Sequence, residues 1–502
     1  MGRTRATAAN TPTRPEDAKL GLGPSFAYGL QHVLTMYGGI IAPPLVIGQA
    51  AGLSQLEIGV LIASALFIGG LATLLQTIGI PFFGSQLPLV QGVSFAGVAT
   101  MLAILSGGGG LPAVFGAILA SAVIGVIIAP FFAMIVKFFP PVVTGVVITS
   151  IGLTLIPVAG TWAMGGAGAP DFGDPANLGL AGVALLIMVL LTKFGTPALA
   201  RLAILISLVL ATVVAACFGR VDFAGALEGP IFALPMPFQF GLPTFEPAAI
   251  ISMLIVVLVT FTETTADILA VGEVVGTKVD SKRIAAGLRA DMLSSAVSPV
   301  FNSFTQSAFA QNVGLVAITK VKSRYVVAAG GVVLVLLGVL PVLGRIVAAI
   351  PTPVLGGVGV ALFGTVAASG IATLSKVDYR NNLNLIIVAI SLAFGMLPVV
   401  LPAIYDAFPT WFQIIFHSGI SSATIMAVLL NVLFNHVVRR SNSRGDRSTF
   451  VAAPTRLVPE EALAALEEGD YYVGGKLIDK DGGEVRIVPT GSIPAVDPDA
   501  RP

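Results

Sequence analysis

Phe304-Thr-Gln-Ser-Ala-Phe-Ala-Gln-Asn-Val-Gly-Leu-Val-Ala-Ile-Thr-Lys320 is the stretch whose reading decides the fold. It lies among long apolar runs, yet it carries carboxamides, hydroxyls and a glycine. Irregular backbone is tolerated at bilayer depth only where it is buried in protein or lines a wet cavity. The stretch therefore predicts a substrate site built on a broken helix.

The surrounding chain has the composition this needs. Its 502 residues are 55% hydrophobic and only 11% charged, with a mean hydropathy of +0.94. Soluble domains carry about 25% charged residues, so a soluble globular fold is excluded. The 57 Gly and 33 Pro suit the packed and interrupted helices of membrane proteins. The expected fold class is an all-α polytopic membrane protein.

The net charge of +1 points to no nucleic-acid partner. A single cysteine, Cys217, excludes an internal disulfide and any multi-cysteine metal site, and reads as a small filler within a span. His32, His417 and His436 are too scattered to suggest a metal, and no cofactor is expected. There is no Gly-x-Ser-x-Gly, His-Glu-x-x-His or Walker lysine loop. The chain is therefore read as a non-enzyme, driven by an ion gradient and not by nucleotide hydrolysis. Its polar start lacks the apolar core of a signal peptide, so the first span is expected to serve as its own insertion signal.

Windows of about 20 apolar residues give about fourteen candidate spans, near 25–47, 57–79, 88–105, 113–136, 141–164, 177–193, 199–219, 247–272, 286–301, 305–319, 324–348, 352–370, 382–402 and 416–437. Basic residues gather in alternate loops, at Lys137, Lys193, Arg201, Lys278, Lys282, Arg283, Lys320, Lys322, Lys376 and Arg380. The opposite loops hold Arg220 and Arg345 among acids such as Asp171, Asp174, Asp222 and Glu228. That asymmetry predicts cytoplasmic termini in a multi-pass cell-membrane protein. Residues 1–24 read as a cytoplasmic N-terminal tail and 25–440 as the transporter domain. Residues 441–502 read as a mostly extended cytoplasmic tail with a helical pattern at 459–468.

A second polar interruption, Leu87-Pro-Leu-Val-Gln-Gly-Val-Ser-Phe-Ala-Gly97, falls in the third span. It lies about 220 residues before the tenth-span break, and such paired short Gly/Pro-broken segments mark a transporter site. An odd number of spans per half orients the halves oppositely. The expectation is a seven-plus-seven inverted repeat with spans 3 and 10 broken by short extended segments.

Carboxylates stand inside the eighth span. Glu263 and Asp267 are four residues apart and share one helical face. An acid at bilayer depth costs about 2.5–3.5 kcal/mol on insertion scales and marks a substrate path or proton relay. Asp291 opens the ninth span, either as a solvated helix-start acid or pointing inward. His32 follows Gln31 in the first span, either as a satisfied core histidine or as a hydrogen-bonding partner of the site.

Gln311-Asn312-Val313-Gly314 followed by Thr319-Lys320 resembles the signature of the nucleobase–ascorbate transporter family, also called nucleobase–cation symporter-2. Gln31-His32, the stretch from Leu87 to Phe95, Glu263 and Gly287-Leu-Arg-Ala-Asp291 are similarly ordered, and the resemblance covers roughly residues 25–440. It implies a core domain (about 25–136 and 247–348), a gate domain (about 141–219 and 352–437) and a homodimer in membrane lipid. It also implies symport of a nucleobase with a proton by alternating access. Carried over, Glu263 would bind ring N–H groups, Gln311 the carbonyl and N–H edge, and Ala310 would add a backbone contact. Phe95 would stack on the ring, while Asp267, Asp291 and His32 would serve coupling or site shape, with Glu263 or Asp267 carrying the proton. Asn312 is expected to brace the broken helix against span eight. Uracil-type members tend to have His and an acid where this chain has Asp267 and Gln311, so the resemblance favours the xanthine and uric acid branch. Thr305 departs from the family, where many relatives have Pro, which puts the local kink in question. The alternatives are a uracil or other nucleobase symporter and, from another family, a sulfate-permease-type anion carrier.

Overall fold

Apolar runs punctuated by Pro, Gly and hydroxyl residues fold as helices along most of the chain. The structure, a computed structural model, describes residues 14–132, 140–166, 168–221, 230–379 and 382–437, together with three short strands between 471 and 485. The first half runs through α1 (Leu22–Ala50), α2 (Gln55–Ile78), strand β1 (Gln91–Val93), α3 (Val98–Ser106) and α4 (Gly110–Ile128). It continues through α5 (Pro141–Ala163), α6 (Pro175–Phe194) and α7 (Ala203–Cys217). The second half has α8 (Pro247–Val275), α9 (Ser281–Val297), strand β2 (Gln306–Ala308), α10 (Ala310–Thr319) and α11 (Arg324–Gly338). It ends with α12 (Pro341–Ala348), α13 (Thr352–Leu374), α14 (Asn382–Val400), α15 (Thr410–Phe416) and α16 (Gly419–Asn431).

Every one of the expected span segments contains a helix. Among the described residues, eight helices are long and apolar enough to cross a membrane alone, or ten if each of two bent pairs is one span. The bends are 77° between α11 and α12, where Pro341 starts a new helix, and 81° between α15 and α16. At the second bend Ser418 caps α16 by accepting from the Ser421 N–H.

The two expected interruptions meet. β1 and β2 pair antiparallel in the register Gln91↔Ala308, Gly92↔Ser307 and Val93↔Gln306. Each strand leads into a short helix, α3 after β1 and α10 after β2. Thr305 does not disturb this: its carbonyl accepts from the Ser94 N–H at 2.8 Å, extending the ribbon.

Exchange of the halves maps the packing onto itself, as an inverted repeat requires. α2 packs on α11 as α9 packs on α4; α1 packs on α11 as α8 packs on α4; α6 packs on α7 as α14 packs on α16. α5 and α13 pair with each other, as β1 and β2 do. Their crossing depends on glycines: a Cβ on Gly152 would meet the Ala367 nitrogen at 2.3 Å, and one on Gly370 the Thr149 nitrogen at the same distance. Small residues let membrane helices approach this closely. The symmetry extends to hydroxyls. Thr73 on α2 accepts from the Gln91 N–H at 2.9 Å and donates to the Gln91 carbonyl at 3.3 Å. Ser295 on α9 does the same for Gln306, at 2.8 and 3.4 Å. The structural counterpart of Gln91 is thus Gln306.

Three local features settle, correct or add to the sequence reading. The ninth helix begins at Ser281, where Asp280 caps it by accepting from the Arg283 N–H. Asp291 is therefore interior and 1% exposed, not a solvated helix-start acid. Cys217 is exposed at the last residue of α7. Part of the N-terminal tail is docked: Glu16, fully buried, accepts from Arg283 at 2.6 Å, and Asp17 accepts from Arg324 at 2.7 Å. Arg324 also caps the end of α2 through the Thr77 and Ile78 carbonyls, each at 2.9 Å.

Contacts divide the chain into Met1–Asp446 and Arg447–Pro502. Within the second unit, in a tail expected to be mostly extended, Tyr471–Val473, Lys476–Ile478 and Glu484–Val485 form a three-stranded antiparallel sheet. The helical pattern at 459–468 lies outside the described residues.

Candidate functional site

The ribbon of β1 and β2 is the floor on which polar side chains from α1, α8, α9 and α10 converge. Phe309 leaves β2 with its ring in a slot between Gly39 of α1 and Gly92 of β1. A Cβ on either glycine would come within 2.8 and 2.7 Å of the ring. α10 begins immediately afterwards at Ala310. Gln311 and Asn312 therefore lie in the first turn of a helix, not in an extended segment.

That turn divides the two carboxamides by facing. Ala310 and Gln311 are exposed, whereas Asn312 is 2% exposed. Asn312 Nδ2 donates to the Pro88 carbonyl at 2.7 Å. It thus braces α10 against the segment entering β1, and the expected contact with span eight is replaced by one with span three. His32, 2% exposed on α1, faces Asn312 within side-chain hydrogen-bonding reach.

α8 brings the acids. Glu263 is half-buried past the middle of this 29-residue helix, and Asp267 is 7% exposed one turn on. Asp291 from α9 faces them, and the three carboxyls lie within electrostatic reach of one another. Among the described residues neither the Glu263 carboxyl nor the Gln311 carboxamide has a side-chain hydrogen-bond partner. Several other buried atoms around the ribbon also lack a protein partner: Asp267 Oδ2, Asp291 Oδ1, Asn312 Oδ1, His32 Nδ1 and both carboxamide atoms of Gln91. Buried polar atoms are normally satisfied, so this concentration is what a site for polar solutes, water and protons requires.

Phe95, at the start of the turn into α3, is half-buried. Its ring meets Phe363 of α13 edge-on, with centroids 6.0 Å apart. This aromatic contact joins the turn into α3 to α13. Exposed positions then continue along α8 at Ala266 and Glu273, and along α10 at Gly314 and Ala317. α3 is also tied to α16, with Thr100 and Ser418 hydroxyls 2.9 Å apart and both fully buried.

The structure therefore gathers Glu263, Asp267, Asp291, His32, Phe95, Ala310, Gln311 and Asn312 around one ribbon. Sequence reasoning missed Thr264, which donates to Asp291 Oδ2 at 2.6 Å, and Ser295, Thr73 and Phe363. For Ser295 a signal existed, since it stands one helical turn after Asp291 on the same face. Among the described residues no cluster of His, Cys, Asp or Glu has the arrangement of a metal site.

Comparison with known proteins agrees in sequence and in fold. Residues 23–404 match a family model described as the permease family, for xanthine and uric acid permeases. A uric acid transporter of Escherichia coli K12 is 42% identical over 433 residues, 86% of this chain and 90% of that protein. A xanthine permease of Bacillus subtilis 168 is 40% identical over 415 residues, 83% of this chain and 94% of that protein. The transmembrane domain of a cyanobacterial bicarbonate transporter superposes with a TM-score of 0.51 at 14% identity, covering 82% of this chain and 97% of that one. The murine anion transporter SLC26A9 in an inward-facing state gives a TM-score of 0.56 at 14% identity, over 86% of this chain and 73% of that one. These structural likenesses are of fold alone.

Proposed function

The chain belongs to the nucleobase–ascorbate transporter family, and from that premise we propose that it takes up an oxidised purine base, xanthine or uric acid, together with a proton. The observation that carries this reading is that Glu263 and Gln311, neither with a side-chain hydrogen-bond partner among the described residues, stand on the packed helices α8 and α10, with Phe95 half-buried on a turn that packs on α8. An oxo-purine presents N–H donors and C=O acceptors around a flat ring. A carboxylate only accepts, while a carboxamide both accepts and donates, so Glu263 and Gln311 together read such an edge. Phe95 supplies an apolar face, and the Ala310 backbone adds a polar contact at the helix start.

Three carboxyls within reach of one another favour uptake of a proton with the substrate, because like charges resist simultaneous ionisation. Glu263 or Asp267 is the carrier in this reading, with Asp291, His32 and Asn312 setting the shape and coupling of the site.

Turnover in this reading is alternating access in the cell membrane, with both termini cytoplasmic and two copies forming a homodimer. Residues 25–136 and 247–348 make the core that holds the site, and 141–219 and 352–437 the gate against which it moves.

The fold likeness to anion transporters raises a sulfate-type carrier as the competitor. Glu263, Asp267 and Asp291 weigh against it, since three carboxyls oppose a sulfate dianion. Competition against labelled xanthine in vesicles tests the reading: unlabelled xanthine and urate are expected to compete, and uracil and sulfate are not. Competition by sulfate alone contradicts it.

A further inference from the structure

We propose that Thr264 is the positioning residue through which the Asp291 carboxyl acts on the strand that presents Gln311. This deepens the proton-coupled reading above and rests on it.

The ribbon's hydrogen bonding makes a second attachment necessary. β2 turns the Thr305 carbonyl and the Phe309 N–H toward β1, where they meet the Ser94 N–H at 2.8 Å and the Val90 carbonyl at 3.1 Å. The Gln306 and Ala308 N–H groups point to the opposite edge. Both residues are buried, and a buried N–H needs an acceptor. Ser295 supplies one to Gln306 at 2.8 Å, and Thr264 Oγ1 supplies the other to Ala308 at 3.4 Å. Thr264, itself fully buried, then donates to Asp291 Oδ2 at 2.6 Å. Asp291 and Ser295 stand one turn apart on α9, so one helix face holds both edge amides, the first directly and the second through Thr264.

The symmetry of the halves isolates this device. Thr73 on α2 reproduces the Ser295 contact at β1. Nothing on α2 reproduces Asp291, because its sole acid, Glu57, stands in the first turn at the other end. An acid therefore bears on β2 and not on β1.

A hydroxyl has one proton to give. Facing an ionised carboxylate, Thr264 must donate to it and offers its lone pairs to the Ala308 N–H. A protonated Asp291 has a proton of its own to donate, and frees the Thr264 proton for another acceptor. Loss or gain of a proton at Asp291 thus reorients the hydroxyl holding β2, just ahead of Ala310 and Gln311. The charged groups facing Asp291 are Glu263 and Asp267 of α8. α4 and β2 contribute no ionisable side chain, and Arg289 of α9 itself turns away to the Phe82 carbonyl at 3.0 Å.

The test is equilibrium binding of labelled xanthine to the purified full-length protein between about pH 5 and pH 8. It compares wild type, Thr264→Ser, Thr264→Val, Asp291→Asn and the Val/Asn double variant. Thr264→Ser is expected to keep the wild-type pH profile. Thr264→Val is expected to weaken binding about tenfold and flatten the profile, with Asp291→Asn adding less than about twofold on top. A Thr264→Val profile superimposable on wild type overturns the proposal, as do effects of the two substitutions that multiply independently. Should Thr264→Val not fold, hydrogen exchange over residues 304–312 decides instead. Protection corrected for intrinsic rate is expected to vary with pH in wild type and Thr264→Ser, and to be pH-independent in Asp291→Asn. Equal behaviour of wild type and Asp291→Asn overturns the proposal. Absence of proton-coupled uptake by wild type would fault the functional reading, whereas the exchange measurement still reports on Thr264.

Discussion

Glu263 and Gln311 have no side-chain hydrogen-bond partner among the described residues, Glu263 stands within electrostatic reach of Asp267 and Asp291, and the functional reading depends on these two side chains most. Glu263→Gln keeps the shape but replaces an acceptor-only group by one that also donates. A hydrogen bond to a charged group contributes about 1.5–3 kcal/mol, so xanthine binding is expected to weaken about 10- to 100-fold by calorimetry. Unchanged affinity would remove Glu263 from the site. These residues stood out in the sequence because a charge or carboxamide in an apolar run is costly and therefore noticeable. Thr264, Ser295 and Thr73 did not. Hydroxyls are common in membrane helices and often only bond the preceding turn, as Thr260 and Thr262 do with the Val256 and Leu258 carbonyls. Nothing local separates a hydroxyl of that kind from one that holds a strand.

At the scale of elements, the two broken spans were readable from Gly, Pro and carboxamides at matching places in the halves, and the structure pairs them as one ribbon. What the sequence concealed was register and helix starts. Gln91 answers to Gln306, because hydroxyls on α2 and α9 clasp those two residues in the same manner. Asp291 is interior because the polar turn from Ser281 to Arg289 is helical, though it lacks the apolar pattern of a span. The slot for Phe309 gives a test of the ribbon. Gly92→Ala would drive a methyl to 2.7 Å from the ring, and Gly39 closes the other side. Overpacking of this kind costs about 1–3 kcal/mol, and a rise in KM of about tenfold with normal membrane levels is expected. An unaltered KM would mean that the ring has room to shift. The docked N-terminal turn gives a test in pH. Burial is the largest single influence on the Asp17 carboxyl and raises its pKa, but the hydrogen bonds and charges of Arg14 and Arg324 together outweigh it and hold the carboxyl below its ordinary 3.8. A depressed pKa contributes stability above the ordinary value, and that contribution is lost as pH falls below it. The Tm difference between wild type and Asp17→Asn is therefore expected in full at neutral pH, to shrink as pH falls past about 3.8 and to vanish once pH is below the lowered folded value. A difference that persists there would contradict the assignment.

For the whole molecule, composition alone indicated a polytopic membrane protein, and the repeat followed from an odd number of spans per half. Contact between the halves was not legible, since it arises from small residues at α5 and α13 that any membrane helix could carry. The Thr100–Ser418 contact joins α3 to α16. In a variant with Cys217→Ser, cysteines at positions 100 and 418 are expected to form a disulfide that blocks uptake, with reductant restoring it. Full uptake by the cross-linked protein would show that these helices do not separate during turnover.

The most direct measurement is uptake into proteoliposomes containing the purified protein alone, with an imposed pH gradient and labelled xanthine or urate. The predicted result is transient accumulation of one or both purines above equilibrium when the outside is acidic, abolished by a proton uncoupler. Accumulation that ignores the uncoupler, or proteoliposomes that take up neither purine, would contradict the account.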